Sequence, residues 1–376
     1  MDLFKFNSPS GPTYFTQGSP VEGWDSVRWV ERYQEPGEFK IVAPLGSGLH
    51  NELPKGSFIS HVATPEIMVV ENHEIEEDLE TSPMITISGR SLDVILDDRV
   101  IGCDQDWSSH DGVKIPYYIY PDDTRDQIAD MINDHIRVTM AYAGQLLPNV
   151  RAASIPKAAN HVPDISEERF PKRGSLLERV KDLLQVDDLG IKVQRRGWLK
   201  PGNPQWDITF FYIHSGQDLS DRVIFSWEHG DISRANYLFS QKKRKNAALV
   251  SSTYVEAAVE PVETGIDRKW MHVDASDVDS DLDGSPDAGQ IATIKAILIS
   301  RGQEALQAQE DVDIFDATLS DLSQYTYRED YNIGDVVSVE GSFGDRERRR
   351  VIEHVEVVDE DGSTSMPTLA AFNRQA

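Results

Sequence analysis

The side chains with the clearest ligand spacing are Asp279, Asp281 and Asp283, followed by Gly284. Three carboxylates at alternate positions and then a glycine make the front half of a calcium loop: the oxygens surround the ion and the glycine permits the sharp turn. The twelfth position of such a loop normally supplies a bidentate glutamate. Here it is Gln290, which brings no charge and one ligand oxygen fewer. The segment therefore reads either as a weak metal candidate or as a solvated acidic loop over 277–287 ahead of a helix, where carboxylates are stabilised in any case. The expectation is no tight calcium site.

The other chemistry-bearing residue types do not assemble into a pattern. The ten histidines are scattered, and none pairs as HExxH. Gly46, Ser47 and Gly48 lack the second flank of a nucleophile elbow, and there is no phosphate-binding GxxxxGK[ST] loop. Carboxylates are so numerous that a glycosidase pair could be placed almost anywhere, which makes such a placement uninformative. The single cysteine, Cys103, can form neither an intrachain disulfide nor a cysteine-based zinc site, and reads as a small core residue. No catalytic residue and no cofactor are expected. Two basic runs stand against the acidic background: Lys242, Lys243, Arg244 and Lys245, and the stretch from Arg346 to Arg350. Each reads as an exposed turn or as a patch meeting an acidic neighbouring subunit, with nucleic acid as the other possible ligand.

These residues must be positioned by a mainly β framework. Alternation from Val27 to Tyr33, a turn at Gln34 to Gly37, and alternation again from Phe39 to Val42 predict a hairpin. Strands are expected over Ile67–Ile75, Met84–Ile87 and Val113–Tyr120, with a short helix over Ser91–Arg99 presenting Leu92, Ile95 and Leu96 on one face. Ile128, Ile132, Ile136 and Met140 recur every four residues after the capping candidates Asp122 and Asp123, which predicts a helix. Ser175 and Glu178 form a capping box ahead of the stripe Leu176, Val180, Leu183 and Leu184, with Gly190 just past its end. Further strands are expected over Asp207–Tyr212, Arg222–Trp227 and Ala247–Val259, a helix over Gln290–Gln309, and a terminal strand pair, Asp335–Glu340 and Arg349–Val358, around a polar turn.

The chain has 376 residues and a formal net charge of −27, with 39% hydrophobic residues. That is enough apolar content for real cores and enough length for two to four units. The charge argues against a surface built to grip phosphates. The opening MDLFKFNSPSGP has no apolar run of signal-peptide length, and no stretch approaches the roughly 20 apolar residues of a membrane span. Synthesis in a cytosol is the expectation. The predicted fold class is α+β, mainly antiparallel β with helical inserts.

In order along the chain, several segments resemble the tail hub (baseplate hub) proteins of long-tailed bacteriophages, which include the N-terminal parts of tail-associated lysins and siphovirus tail proteins. The segments are Glu38–Ile41 with Pro44 and Asn51–Gly56, Glu66–Glu71, Ile85–Leu92, and Leu96–Ile101. Then come Leu189 with Gly190, Val223–Ser226, Asp231–Tyr237, Lys245–Val250, Ile333–Val339, Val351–Val357, and Asp361 with Gly362. They span residues from about 25 to 370. The shared order carries the resemblance. The motif positions are Gly89, Arg90, Leu92, Leu96, Arg99, Phe225, Ser226, Asn246, Gly334, Asp335 and Val337. Gly89 is expected at a strand-to-helix turn, with Arg90 and Arg99 meeting Asp93, Asp97 and Asp98 around the helix.

The resemblance implies two tail-tube-like β-barrel domains with inserted helix-containing domains. The expected division is 1–120 as the first barrel, 121–189 helical, 190–260 as strands of the second β domain, 261–310 as acidic loop and helix, and 311–376 completing the second β domain. It further implies a homotrimeric ring at the tail tip of a virion. That ring would contact a distal tail ring protein, a tape-measure protein and a tip or fibre protein, and genomic DNA would pass without specific binding. Lysin-bearing members continue into a peptidase or muramidase where this chain stops at Ala376, so no enzymatic activity is expected. A tail-associated cell-wall hydrolase and a calcium-dependent receptor-binding adhesin are the alternative readings.

Overall fold

The computed structural model describes residues 1–7, 14–77, 82–101, 109–110, 113–114, 124–136, 151–153, 174–195, 206–207, 209–242, 244–260, 265–279, 285–307, 312–320, 323–340 and 346–372. The described residues are mostly strand with some helix, and the pairing is mostly antiparallel, as the alternation predicted.

The N-terminal part contributes β1 (Leu3–Asn7), β2 (Tyr14–Val21), β3 (Ser26–Arg32), β4 (Glu38–Pro44), the single-turn α1 (Leu49–Glu52), β5 (Phe58–His61), β6 (Met68–Glu76) and β7 (Met84–Ser91). β3 and β4 form the expected hairpin, with Val27 opposite Ile41 and Trp29 opposite Phe39. These four side chains are buried together with Leu3, Ile59, Val70, Ile85 and Ile87, one face of an alternating sheet.

After β7 the chain makes a 3₁₀ turn, Leu92–Leu96, rather than the expected amphipathic helix to Arg99. All five of its side chains are buried, so it has no solvent face to satisfy a helical stripe. Next come β8 (Val100–Ile101), β9 (Ser109–His110), β10 (Val113–Lys114), α2 (Thr124–Ile136), β11 (Arg151–Ala153), β12 (Gly174–Ser175), α3 (Leu176–Val186), β13 (Gly190–Arg195), β14 (Trp206–Asp207) and β15 (Thr209–His214). Ile128, Ile132 and Ile136 of α2 pack on Leu176, Val180, Leu183 and Leu184 of α3 and on the β11–β15–β13 sheet. Asp122, Asp123, Met140, Cys103 and most of the strand expected to Tyr120 lie outside the described residues. Ser175 caps α3, its Oγ accepting the Glu178 amide at 3.4 Å. The helix does not end on Gly190. The left-handed residue is Asp188, at φ 49°, while Gly190 already belongs to β13. The strand expected over Asp207–Tyr212 is split: Asp207 pairs with Tyr14 of β2, whereas Thr209 begins a separate sheet.

The last part holds β16 (Ile224–Ser226), β17 (Ile232–Ser240), β18 (Ala247–Ser251), β19 (Glu256–Val259), β20 (Trp270–Asp274), α4 (Ala288–Gln307), β21 (Val312–Leu319), β22 (Val336–Glu340), β23 (Arg346–Asp359) and β24 (Gly362–Ala371). The strand expected over Ala247–Val259 breaks at a turn where the Ser252 amide donates to the Val255 carbonyl. Its halves form the sheet β19–β18–β20, covered by Ile294, Ile297 and Leu298 of α4. The expected terminal pair is β22 with β23. However, the Arg346–Arg350 run lies within β23 rather than in an exposed turn, and Arg349 and Arg350 are only 2% and 5% exposed.

The main sheet runs β14-β2-β1-β5-β6-β7-β4-β3-β23-β24-β21-β17, with β22 and β16 attached beside β23. Among the described residues it has two ends and closes into no barrel. No described helix is long and apolar enough to cross a membrane.

Candidate functional site

The densest polar chemistry lies where the cores meet. Tyr33, one residue past β3, has its hydroxyl donating to the Asp188 carbonyl at 2.8 Å, while its own carbonyl accepts the Ile191 amide at 2.9 Å. The ring fits only because its neighbours are glycines. A Cβ on Gly190 would stand 2.1 Å from the ring, and one on Gly334, at φ 90°, 2.6 Å from it. Arg350 of β23 lies over the same ring, 5.0 Å from its centroid. Its Nε and Nη2 donate to Asp188 Oδ2 at 3.0 and 2.7 Å, and Nη1 donates to the carbonyls of Ser215 and Gly334. His214 packs edge-on to Tyr33 at 5.4 Å. Burial, reinforced by the positive charges of Lys192 and Arg350, lowers its pKa to about 3. The imidazole is therefore neutral at neutral pH.

A second junction centres on Arg328, which holds Glu31 of β3 and Glu356 of β23 at 2.8 Å each. Tyr327 donates to Glu31 at 2.5 Å and stacks on His354, with centroids 3.6 Å apart. Burial works against the charge on Glu356, but His61, 3.4 Å away, and the Arg328 guanidinium hold its pKa at about 2. Glu31 is likewise held below its usual range despite burial. Glu66 is raised well above it by burial and by the neighbouring charges of Glu31 and Asp93. Asp93, inside the 3₁₀ turn, is raised to about 6 by burial even though Ser91 Oγ donates to it. Acid–base chemistry needs such carboxylates at a cleft. Here Glu31 and Glu356 are tied up by Arg328, the arrangement of a bolt between strands, while Glu66 and Asp93 are buried away from solvent.

The acidic loop is built differently from its sequence reading. Asp279 is 1% exposed rather than solvated. Its carboxylate accepts from Ser252 Oγ at 2.6 Å and from the amides of Thr253 and Tyr254 at 2.8 and 2.9 Å, pinning the β18–β19 turn. Asp277 pairs with Arg301 at 2.7 Å. Gln290 completes a reciprocal cap with Asp287, each side chain accepting the other's amide at 2.9 Å, so α4 starts on a capping box. Asp281 and Asp283 lie outside the described residues, and among the described ones no group of three or more His, Cys, Asp or Glu could hold a metal.

The motif positions are spread across the cores rather than brought to one place. Gly89 is not at a turn. It sits inside β7 opposite Phe39, where a Cβ would stand 1.7 Å from the Val69 carbonyl oxygen, beside a register shift in β6. Arg90 makes a bidentate pair with Glu71 at 2.9 and 2.8 Å and reaches Asp97 at 3.7 Å, and Arg99 donates to the Asp98 carbonyl. Asp93 takes its bond from Ser91. Leu92 and Leu96 join the helical core, while Phe225 and Val337 join the C-terminal one. Ser226 Oγ accepts the Glu228 amide at 3.2 Å. Asn246 links β18 to the approach of β20, donating to the Asp267 carbonyl at 2.8 Å and accepting the Lys269 amide at 2.7 Å. Asp335 accepts the amides of Gln217 and Asn332 at 2.7 and 2.8 Å.

Two serine–histidine contacts among the described residues escaped the sequence reading because their members sit on neighbouring strands: His354 Nε2 lies 2.8 Å from Ser365 Oγ across β23–β24, and the other joins the parallel strands β18 and β20. Ser251 Oγ lies 2.6 Å from His272 Nε2 on the outer face of the β18–β20 sheet. The pair is on an open, water-exposed sheet face, and acyl transfer needs an enclosed oxyanion site. Two surfaces are also conspicuous. β17 ends the main sheet, and its Tyr237, Leu238 and Phe239 are 54%, 49% and 52% exposed. The distal part of the β6–β7 hairpin exposes Glu74, Ile75, Glu76 and Glu77.

A family model described as Siphovirus ReqiPepy6 Gp37-like protein matches residues 12–369. The fold is shared with a tail protein from Neisseria meningitidis (TM-score 0.54, 12% identity, 95% of each chain covered). It is shared too with the 43 kDa tail protein of prophage MuSo2 from Shewanella oneidensis (0.53, 13% identity, covering 98% of this chain and 97% of that one). A third likeness is to the prophage tail protein gp18 from Listeria monocytogenes (0.52, 10% identity, covering 100% and 96%). No curated protein matches the sequence.

Proposed function

Because the chain belongs to the Siphovirus ReqiPepy6 Gp37-like protein family, a siphovirus tail-protein family, we propose that it is a structural hub subunit at the tail tip of the virion. The observation that carries this reading is a family match over residues 12–369 on a fold shared end to end with tail proteins. In the proposed assembly three copies form a ring between the tail tube and the tip or fibre apparatus. The distal tail ring protein lies above and the tape-measure protein inside. Each copy contributes two tube-like β units, one within residues 1–120 and one drawn from strands in 190–260 and 311–376, with the parts at 121–189 and 261–310 inserted.

The reading supports a non-enzymatic role. Glu31 and Glu356 are held by Arg328 as bolts between strands, and of the serine–histidine pairs Ser251–His272 lies on an open face while His354 of the other, with Ser365, is buried under the stacked Tyr327 ring. The charge of −27 per copy suits a conduit. Duplex DNA carries one negative charge per roughly 1.7 Å, so an acidic wall releases it where a basic wall would hold it. Screening limits that repulsion to about 8–10 Å, which still matters in a narrow channel. Electron microscopy of the particle tests the proposal. A threefold ring of this chain at the tail tip with an acidic lumen is expected, and a location elsewhere in the virion overturns it.

A further inference from the structure

The charge of this acidic chain is distributed in two opposite blocks. From Ile232 to Val255 there are five Lys or Arg residues and no acid, and between Lys55 and Arg90 there are seven acids and no Lys or Arg. Each block coincides with an exposed apolar element. The basic block begins on β17, the terminal strand of the main sheet, where Tyr237, Leu238 and Phe239 are about half exposed and Lys242 and Lys245 follow. The acidic block includes the end of the β6–β7 hairpin, where Ile75 is 50% exposed between Glu74 and Glu76. β17 pairs only with β21 among the described strands, so its other edge offers backbone donors and acceptors to a partner.

Resting on the hub reading, we infer that the acidic β6–β7 hairpin of one copy docks on the β17 edge of the next. Within one chain six strands separate β6 from β17 along the sheet, about 34 Å at about 4.8 Å per strand, so the two patches of one chain are not sheet neighbours and each is left for a second copy. The fit is complementary in both respects: Ile75 meets Tyr237 and Phe239, which share one face of β17, and Glu74, Glu76 and Glu77 meet Lys242 and Lys245. A contact between two different patches of identical chains is heterologous, and a heterologous contact whose rotation closes makes a ring. The ionic part steers the encounter and sets its direction, while the apolar strip contributes most of the contact energy.

Charge reversal tests the contact. The variants are Lys242→Glu with Lys245→Glu, Glu74→Lys with Glu76→Lys and Glu77→Lys, and the two sets combined in one chain, each checked for native circular dichroism. Association is read by light scattering and by electron microscopy of assembled tails. Either set alone is expected to weaken association about tenfold or more at low salt, and the combined chain to recover it. A ring that neither set weakens, or a combined chain no better than the single sets, overturns this contact and leaves the hub reading standing. A parent chain that forms no ring in the tail overturns both. Duplex DNA retained by the parent and released by Lys242→Glu would assign the basic block to nucleic acid and overturn the inference.

Discussion

Arg350 and Asp188 meet across the boundary between the C-terminal sheet and the helical core, with two guanidinium nitrogens on one carboxylate oxygen at 3.0 and 2.7 Å. The two partners are unequal. The Arg350 side chain is 6% exposed and that of Asp188 is 51% exposed. Arg350→Ala is expected to cost about 2–4 kcal/mol, because it strips the donor from the buried Gly334 carbonyl and the half-buried Ser215 carbonyl. Asp188→Asn is expected to cost under about 1 kcal/mol, because its carboxylate is half in water. Urea midpoints of the two variants check the order, and equal losses would contradict the assignment.

Gly89→Ala is expected to destabilise by about 3 kcal/mol or more, and Gly89→Val further, since any Cβ meets the Val69 carbonyl at 1.7 Å. Cys103→Ala serves as the mild comparison. If Gly89→Ala melts within a degree or two of the parent, the β6–β7 close approach is wrong.

The buried Asp93 predicts a pH dependence of definite sign. Its pKa is about 6 folded against an ordinary 3.8, so its contribution is fully present below about pH 3.8 and is lost as pH rises through 6. The loss approaches roughly 3 kcal/mol at neutral pH. Asp93→Asn should therefore stabilise the protein at pH 8 and do nothing at pH 3.5, as read by denaturant titration at the two pH values. A gain of the same size at both would contradict it.

Glu356 predicts the opposite slope. Its pKa of about 2 lies below the ordinary 4.5, so its contribution is present above 4.5 and disappears as pH falls toward 2. Glu356→Gln should lower the unfolding midpoint at pH 7 by more than at pH 2.5. His354, whose pKa burial lowers to about 4, adds acid lability between pH 6.5 and 4.

Calcium should leave the acidic loop unmoved. Asp279→Asn is expected to lower the melting temperature equally in calcium and in chelator, because the carboxylate holds Ser252, Thr253 and Tyr254. Calorimetry showing micromolar calcium affinity lost on Asp281→Ala would reverse this reading.

Local patterns in the sequence were enough for the β3–β4 hairpin, the strands β6 and β7, the α2 stripe of Ile128, Ile132 and Ile136, and the Ser175 cap, because each depends on neighbours within a turn, a strand or a hairpin. Features set by distant segments were not legible. Gly89 looks like a turn residue until Val69 is seen across from it, and Gly190 looks like a helix stop until the Tyr33 ring is placed. The run at Arg346–Arg350 looks like a solvated turn because nothing local says that Asp188 and Tyr33 wait for Arg350. Strand β24 was missed because Gly362–Ala371 has few large apolar residues, and its strand character comes from pairing with β23. The Arg328 bolt joins residues about 300 positions apart, beyond any periodicity.

The pairing of β3 with β23, with Arg32 opposite Glu353, has a consequence for biogenesis. The open edge of β3 leaves the ribosome some 321 residues before its partner does. At about 5–20 residues per second that edge stays unpaired for roughly 15–60 s in every round of synthesis. A nascent N-terminal sheet with a free edge invites pairing with another nascent chain on the same message. Efficient production of this subunit therefore depends on shielding that edge, by chaperone holding or by well-spaced ribosomes, until the last strands arrive.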